Sequence, residues 1–190
     1  MRIDWADVLS EIETCEKCRL RAGCSRTVPG EGDPHARLML IGEGPGSEED
    51  RLGRPFVGAS GQLLDKMLAA IGIRREETYI ANIVKCRPPM NRQPAPDEAE
   101  ACLPYLRKQT ALIRPRVIIL LGATAAKYTI SPEIRITRDR GKWVERKGVW
   151  MMPTYHPSAL LRDPALKRLA WEDLKAVRDK LKELEEVPEP

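Results

Sequence analysis

Two histidines, five cysteines and a single phenylalanine are the scarce chemistry-bearing residues of this 190-residue chain. His156 follows a β-rich apolar run and precedes a proline, in His156-Pro-Ser-Ala-Leu-Leu-Arg162, whereas His35 lies in a turn-like GDPHAR segment and reads as a surface residue. Phe56 sits in the polar, glycine-bounded stretch Arg54-Pro-Phe-Val-Gly58. With no apolar run to join there, its ring either plugs the end of a sheet or offers a flat face for stacking. Cys15 and Cys18 form a C-x-x-C pair, Cys86 and Cys102 stand alone, and Cys24 is the fifth. A lone C-x-x-C pair is ambiguous among zinc, thiol redox and iron–sulfur chemistry. Zinc modules use two close pairs, and a thioredoxin-type pair opens a helix after a strand. Four thiolates from scattered elements suit a cubane-type iron–sulfur cluster at least as well as zinc, while Cys24 and Cys102 could equally be small buried apolar residues.

Gly42-Glu-Gly-Pro-Gly46 resembles a nucleotide loop, but the acidic Ser47-Glu-Glu-Asp50 that follows would repel a pyrophosphate. The glycines instead suggest backbone that comes close to a flat ligand.

These residues need a scaffold, and the apolar runs supply one. Arg37–Gly42, Thr78–Val84, Arg116–Leu121 and Val149–Tyr155 read as strands. Between them, helices are expected from Ser60 as N-cap to Gly72, from Pro96 towards Ile113 with a kink or interruption at Pro104, and over Ala123–Tyr128. A final helix runs from Pro164 to about Glu186, and residues 134–147 could form a hairpin. Strands alternating with helices predict an α/β fold with a mostly parallel, four-stranded sheet. In such a sheet function gathers at the carboxyl ends of the strands. The segments after the first, second and fourth strands, which carry Gly42–Gly46, Asn82 with Lys85-Cys-Arg-Pro-Pro89, and His156–Arg162, should therefore meet at one rim.

Composition sets the outer bounds. Hydrophobic residues make up 42% and charged residues 32%, with no apolar run approaching the roughly 20 residues a membrane helix needs. The N-terminus MRIDWADVLSE has no apolar core, so a cytoplasmic protein with reduced thiols is expected. The net charge is +4, and residues 135–148 alone carry as much. That stretch is either a solvated hairpin or one basic face for a polyanion.

The ordered set Gly42-Glu-Gly-Pro-Gly46, Gly53-Arg-Pro-Phe-Val-Gly58, Asn82-Ile-Val-Lys-Cys-Arg-Pro-Pro89 and His156-Pro-Ser-Ala-Leu-Leu-Arg162, together with the four-cysteine pattern, resembles the family 4 uracil-DNA glycosylases. The resemblance runs from about Cys15 to the final helix. It implies a three-layer α/β/α sandwich in one domain over residues 1–190, with an N-terminal segment of about residues 1–30 closing an iron–sulfur site. It further implies a 4Fe-4S cluster on Cys15, Cys18, Cys86 and Cys102, with Cys24 outside. Glu43 and Gly44 match the motif that lines the uracil pocket, Phe56 the stacking aromatic, Asn82 the amide that reads the base edge and His156 the histidine near uracil O2. Leu160 matches the side chain that fills the gap left by a flipped nucleotide. The expected partner is uracil-containing DNA, single- or double-stranded, met by a monomer through Arg138, Arg140, Lys142 and Arg162.

One departure concerns the attacking water. A better-known branch of the superfamily positions it with an aspartate where this chain has Gly44, so Glu49 in the adjacent acidic stretch becomes the candidate; its alternative is a solvated acidic turn. A sister group that bonds covalently to abasic sites carries a histidine in an extra basic loop, and Ile136–Trp143 here has none. A rival of a different class is a non-catalytic iron–sulfur module that binds nucleic acid or transfers electrons.

Overall fold

The computed structural model describes residues 4–185. Residues 1–3 of the expected N-terminal segment and the expected helix end at Glu186 lie outside the described residues.

Two N-terminal helices, α1 (Trp5–Glu13) and α2 (Leu20–Gly23), precede the short strand β1 (Glu31–Gly32). Then come β2 (Leu38–Gly42), α3 (Ser47–Leu52), α4 (Ala59–Ala70), β3 (Thr78–Asn82) and α5 (Pro96–Ile113). The second half holds β4 (Val117–Leu121), α6 (Ala123–Thr129), α7 (Ile136–Asp139), β5 (Val144–Arg146) and β6 (Val149–Thr154). It closes with α8 (Pro157–Arg162) and α9 (Lys167–Glu185).

The strands form one sheet in the order β1-β3-β2-β4-β6-β5. Its inner four strands are parallel, and the short β1 and β5 add antiparallel edges. β2 and β4 are buried at every position, as parallel strands between two helical layers must be. Alternation then sorts their side chains. Met39, Ile41, Ile118 and Leu120 pack with residues of α1, α5 and α6, while Leu38, Leu40, Val117 and Ile119 pack with those of α4 and α9. The result is the three-layer α/β/α arrangement, with two more strands than the four expected.

Other expectations need correcting. Gly58, not Ser60, caps α4, and Ser60 lies in its first turn. Ser47–Asp50 is not a turn but the start of α3, whose Glu49 reaches back to the Gly46 N–H. α5 runs through Pro104 without interruption. That residue is on the exposed side, where water can take the carbonyl it leaves unpaired. Residues 136–139 are helical, and the hairpin is only β5 and β6, joined at Lys147-Gly148. Both turn residues have positive φ, 53° and 79°, as a two-residue hairpin loop prefers.

Candidate active site

A cavity of about 200 Å³ opens at the carboxyl ends of β2, β3 and β6, where the sheet topology predicted a site. It brings together Glu43 and Gly44 after β2, Phe56 and Glu49, Asn82 as the last residue of β3, and His156 ahead of α8. Asn82 is 2% exposed, and its Oδ1 has no hydrogen-bond partner among the described residues. An unmet buried acceptor costs about 1–3 kcal/mol, so this atom is set for a donor from a ligand.

The glycines of the first motif work differently from expectation. A Cβ on Gly42 would lie 2.5 Å from Asn82 Oδ1 and 2.6 Å from Phe56 Cζ, and one on Gly44 would lie 2.8 Å from Val84 Cγ2. They let protein groups close around the cavity, rather than only letting backbone approach a ligand.

Phe56 is held with φ of 50°, and its ring centroid stands 5.5 Å from that of His156. Two residues hold its loop. Arg75 Nη1 donates to the Phe56 carbonyl at 2.9 Å, and Arg75 is in turn paired with Glu31 and Asp65. Glu49 accepts from the backbone N–H groups of Val57 at 2.8 Å, Gly58 at 2.9 Å and Gly46 at 3.1 Å. Three of its roughly four lone pairs are thereby occupied. Glu49, the expected water-directing group, thus holds the Phe56 loop while also lining the cavity. Glu43 has more capacity: Thr124 Oγ1 donates to one carboxylate oxygen, and the other has no hydrogen-bond partner among the described residues. Neither Arg75 nor Thr124 stood out in the sequence, because neither belongs to a motif.

His156 caps α8. Its Nδ1 accepts from the Ser158 backbone N–H at 3.1 Å and lies 2.8 Å from Ser158 Oγ. A backbone N–H can only donate, so Nδ1 carries no proton and the neutral ring keeps its proton on Nε2. Burial, joined by the positive charge of Arg162 and opposed by Glu49, pulls the imidazole down to about 4. At neutral pH His156 is an uncharged donor through Nε2.

A second, smaller space of about 10 Å³ is lined by Cys15, Cys18, Cys86 and Cys102, with Ile12 and Tyr105 among its apolar walls. Burial pushes up the thiols of Cys18, Cys86 and Cys102. Cys24 lies outside this lining, beside Cys86, and Arg21 Nη1 approaches its sulfur at 3.5 Å. Among the described residues no three His, Cys, Asp or Glu side chains gather as they would around one metal ion. The thiols surround a space instead of meeting at a point. Lys85, between the two sites, is fully buried, and burial pulls its ammonium down to about 8.

The family model of the uracil DNA glycosylase superfamily matches residues 29–175. A Type-4 uracil-DNA glycosylase of Thermotoga maritima is 43% identical over 95% of this chain and 97% of its own length. This chain belongs to the uracil DNA glycosylase superfamily. A Type-4 uracil-DNA glycosylase of Archaeoglobus fulgidus is 45% identical over 90% of both chains, and a Type-5 uracil-DNA glycosylase of Pyrobaculum aerophilum is 35% identical over 71% of this chain.

In this superfamily member the residues expected to meet DNA divide sharply. Leu160 is 1% exposed and packed in a cluster with Met67, Ile71, Tyr155 and Leu174, so it is corrected to a core residue. Its neighbour Leu161 is exposed, as is Met90, which is 92% exposed and lies between the cavity-lining Pro88 and Asn91. Arg140 is also corrected. It pairs with the buried Asp173 and donates to the Leu169 carbonyl, tying the segment after α7 to α9. Arg138 and Lys142 stay exposed, although both lie against Asp139. Arg162 is exposed at the end of α8. The basic hairpin tip at Arg146 and Lys147 stands at the amino end of β6, away from the cavity, and Arg146 there donates to the Thr129 and Ile130 carbonyls. No helix among the described residues is long and apolar enough to cross a membrane.

Proposed function

We propose that this chain is a uracil-DNA glycosylase of DNA repair, hydrolysing the N-glycosidic bond of uracil in DNA and releasing the free base. The observation that carries the reading is the buried, unpartnered Asn82 Oδ1 facing a cavity that also holds Phe56 and His156.

A base within a duplex is out of reach, so the nucleotide turns out into the cavity. Phe56 stacks on it. Asn82 Oδ1 accepts from uracil N3–H and its NH₂ donates to O4, whereas cytosine presents the reverse pattern. Bond cleavage builds negative charge on the departing base. The Nε2–H of His156 donates to O2, and a preorganised donor of this kind is worth about 3–4 kcal/mol. Because the imidazole is neutral, it stabilises that charge as a hydrogen-bond donor and keeps its proton. Glu43, fixed by Thr124 on one oxygen, holds the attacking water with the other. Leu161 and Met90 are the apolar groups available to occupy the gap in the DNA. Arg138, Lys142 and Arg162 are the cations left to meet phosphates, in single- or double-stranded DNA and with the enzyme acting as a monomer.

The donor set at the second space is four soft thiols with no carboxylate or imidazole, which suits zinc or iron–sulfur. Their spread around a space favours a polynuclear group, and Cys15, Cys18, Cys86 and Cys102 would hold one 4Fe-4S cluster. When bound, it cross-links the N-terminal segment to the β3–α5 connection, so that metal binding becomes part of folding. The whole chain then acts as one domain.

The test is release of free uracil from a labelled oligonucleotide. Uracil release with an intact backbone supports the glycosylase reading; DNA binding without release would leave the non-catalytic iron–sulfur module.

A further inference from the structure

Lys85 is 2% exposed, and its ammonium is neither in the lining of the Asn82 cavity nor one of the thiols. Its Nζ donates to the Asn82 backbone carbonyl at 3.0 Å and to Gln109 Oε1 at 2.8 Å. Its backbone N–H donates to Cys102 Sγ at 3.2 Å. Gln109 is itself fixed, with Nε2 donating to the Pro29 carbonyl at 2.8 Å and to the Tyr79 hydroxyl at 3.1 Å. The ammonium therefore bolts the last residue of β3 to helix α5.

A buried ammonium is costly to desolvate, and an apolar side chain of similar length would fill the same space at lower cost. What an apolar side chain lacks is the pair of donors that reaches both acceptors. The acceptor on β3 belongs to the residue whose amide faces the cavity. Recognition of a base edge needs its hydrogen-bonding group held to within about 0.5 Å.

We propose that Lys85 is a positioning residue: by holding the Asn82 carbonyl against Gln109 of α5, it fixes where the Asn82 amide stands in the cavity. This rests on the reading of Asn82 as the group that recognises uracil. Lys85 acts only through Asn82, and that separates it from a residue that merely stabilises the core.

The experiment is a double-mutant cycle on the full chain, read by single-turnover uracil release with DNA affinity and metal content measured alongside. Lys85→Met should lower the rate at least about tenfold while leaving DNA affinity and metal content near those of the parent. In an Asn82→Ala background the same substitution should lower it less than about twofold, because there is no amide left to misplace. Gln109→Leu should give the same pattern with a smaller loss, and it decides the matter if Lys85→Met does not fold. Equal losses in both backgrounds, or no loss in the parent, would overturn the proposal. If Asn82→Ala alone keeps the parental rate, it is the reading of the pocket that fails.

Discussion

Three residues lie between Asn82 and Cys86, and they join two sites of opposite character. On the Asn82 side a cavity of about 200 Å³ is lined by polar groups with bonding capacity left over: Asn82 Oδ1, one oxygen of Glu43 and the Nε2 proton of His156. On the Cys86 side about 10 Å³ is lined by thiols and apolar walls, and burial pushes the thiols of Cys86 and Cys102 up. The first arrangement suits a ligand that enters and leaves. The second suits a resident group whose bonds replace the water those sulfurs have lost. Substitutions on the first side should change rate at little cost to the fold, and substitutions on the second should do the reverse.

The largest effect expected from that contrast is on His156. His156→Ala should lower the single-turnover rate about 10²–10³-fold and affect DNA affinity much less, since its hydrogen bond strengthens as charge builds on the leaving base. Parallel loss of rate and affinity would erase the distinction between transition-state donor and binding contact. On the thiol side, Cys86→Ser should reduce bound iron and lower the thermal midpoint, whereas Cys24→Ser should leave the iron content at about four per chain. Stoichiometric zinc and a colourless protein would remove the cluster from the account.

A smaller effect follows from the sign of the His156 shift. Its pKa in the fold is lowered from 6.5 to about 4, so between those values the unfolded chain binds a proton that the folded one does not. Stability should therefore fall as pH drops from about 6.5 to about 4, and His156→Ala should reduce that dependence in denaturant titrations. The smallest effect concerns phosphate contacts. Arg162→Ala should flatten the log–log salt slope of DNA binding by about one unit. Arg140→Ala should leave the slope unchanged and destabilise the fold, because it takes the cation from the buried Asp173 and leaves it only the Thr154 hydroxyl.

Much of this arrangement could be read from the chain. The alternation of apolar strand-like runs with helical segments pointed to a parallel sheet, and the carboxyl-end rule brought Glu43, Asn82 and His156 to one rim. The two edge strands escaped because two or three residues are too few to show a period. Leu160 and Leu161 are adjacent and identical in type, and only the pitch of α8 decides which one turns inward. Arg138, Arg140 and Lys142 are likewise equal in sequence. What separates them is Asp173, brought to Arg140 from α9 by tertiary packing. The hold of Glu49 on the Phe56 loop was hidden for the same reason: the N–H groups of Val57 and Gly58 that it accepts from arrive through a loop whose path no local pattern specifies.

Asn82→Asp tests most directly whether the Asn82 amide, with its unpartnered Oδ1, reads uracil. A carboxylate there removes the donor to O4 and repels that oxygen, while cytosine could donate to it from N4. Single-turnover assays on matched uracil- and cytosine-containing oligonucleotides should show uracil release reduced about 10²-fold or more, with weak cytosine release appearing. Uracil release by Asn82→Asp at the parental rate would contradict the assignment of this cavity as the base-reading site.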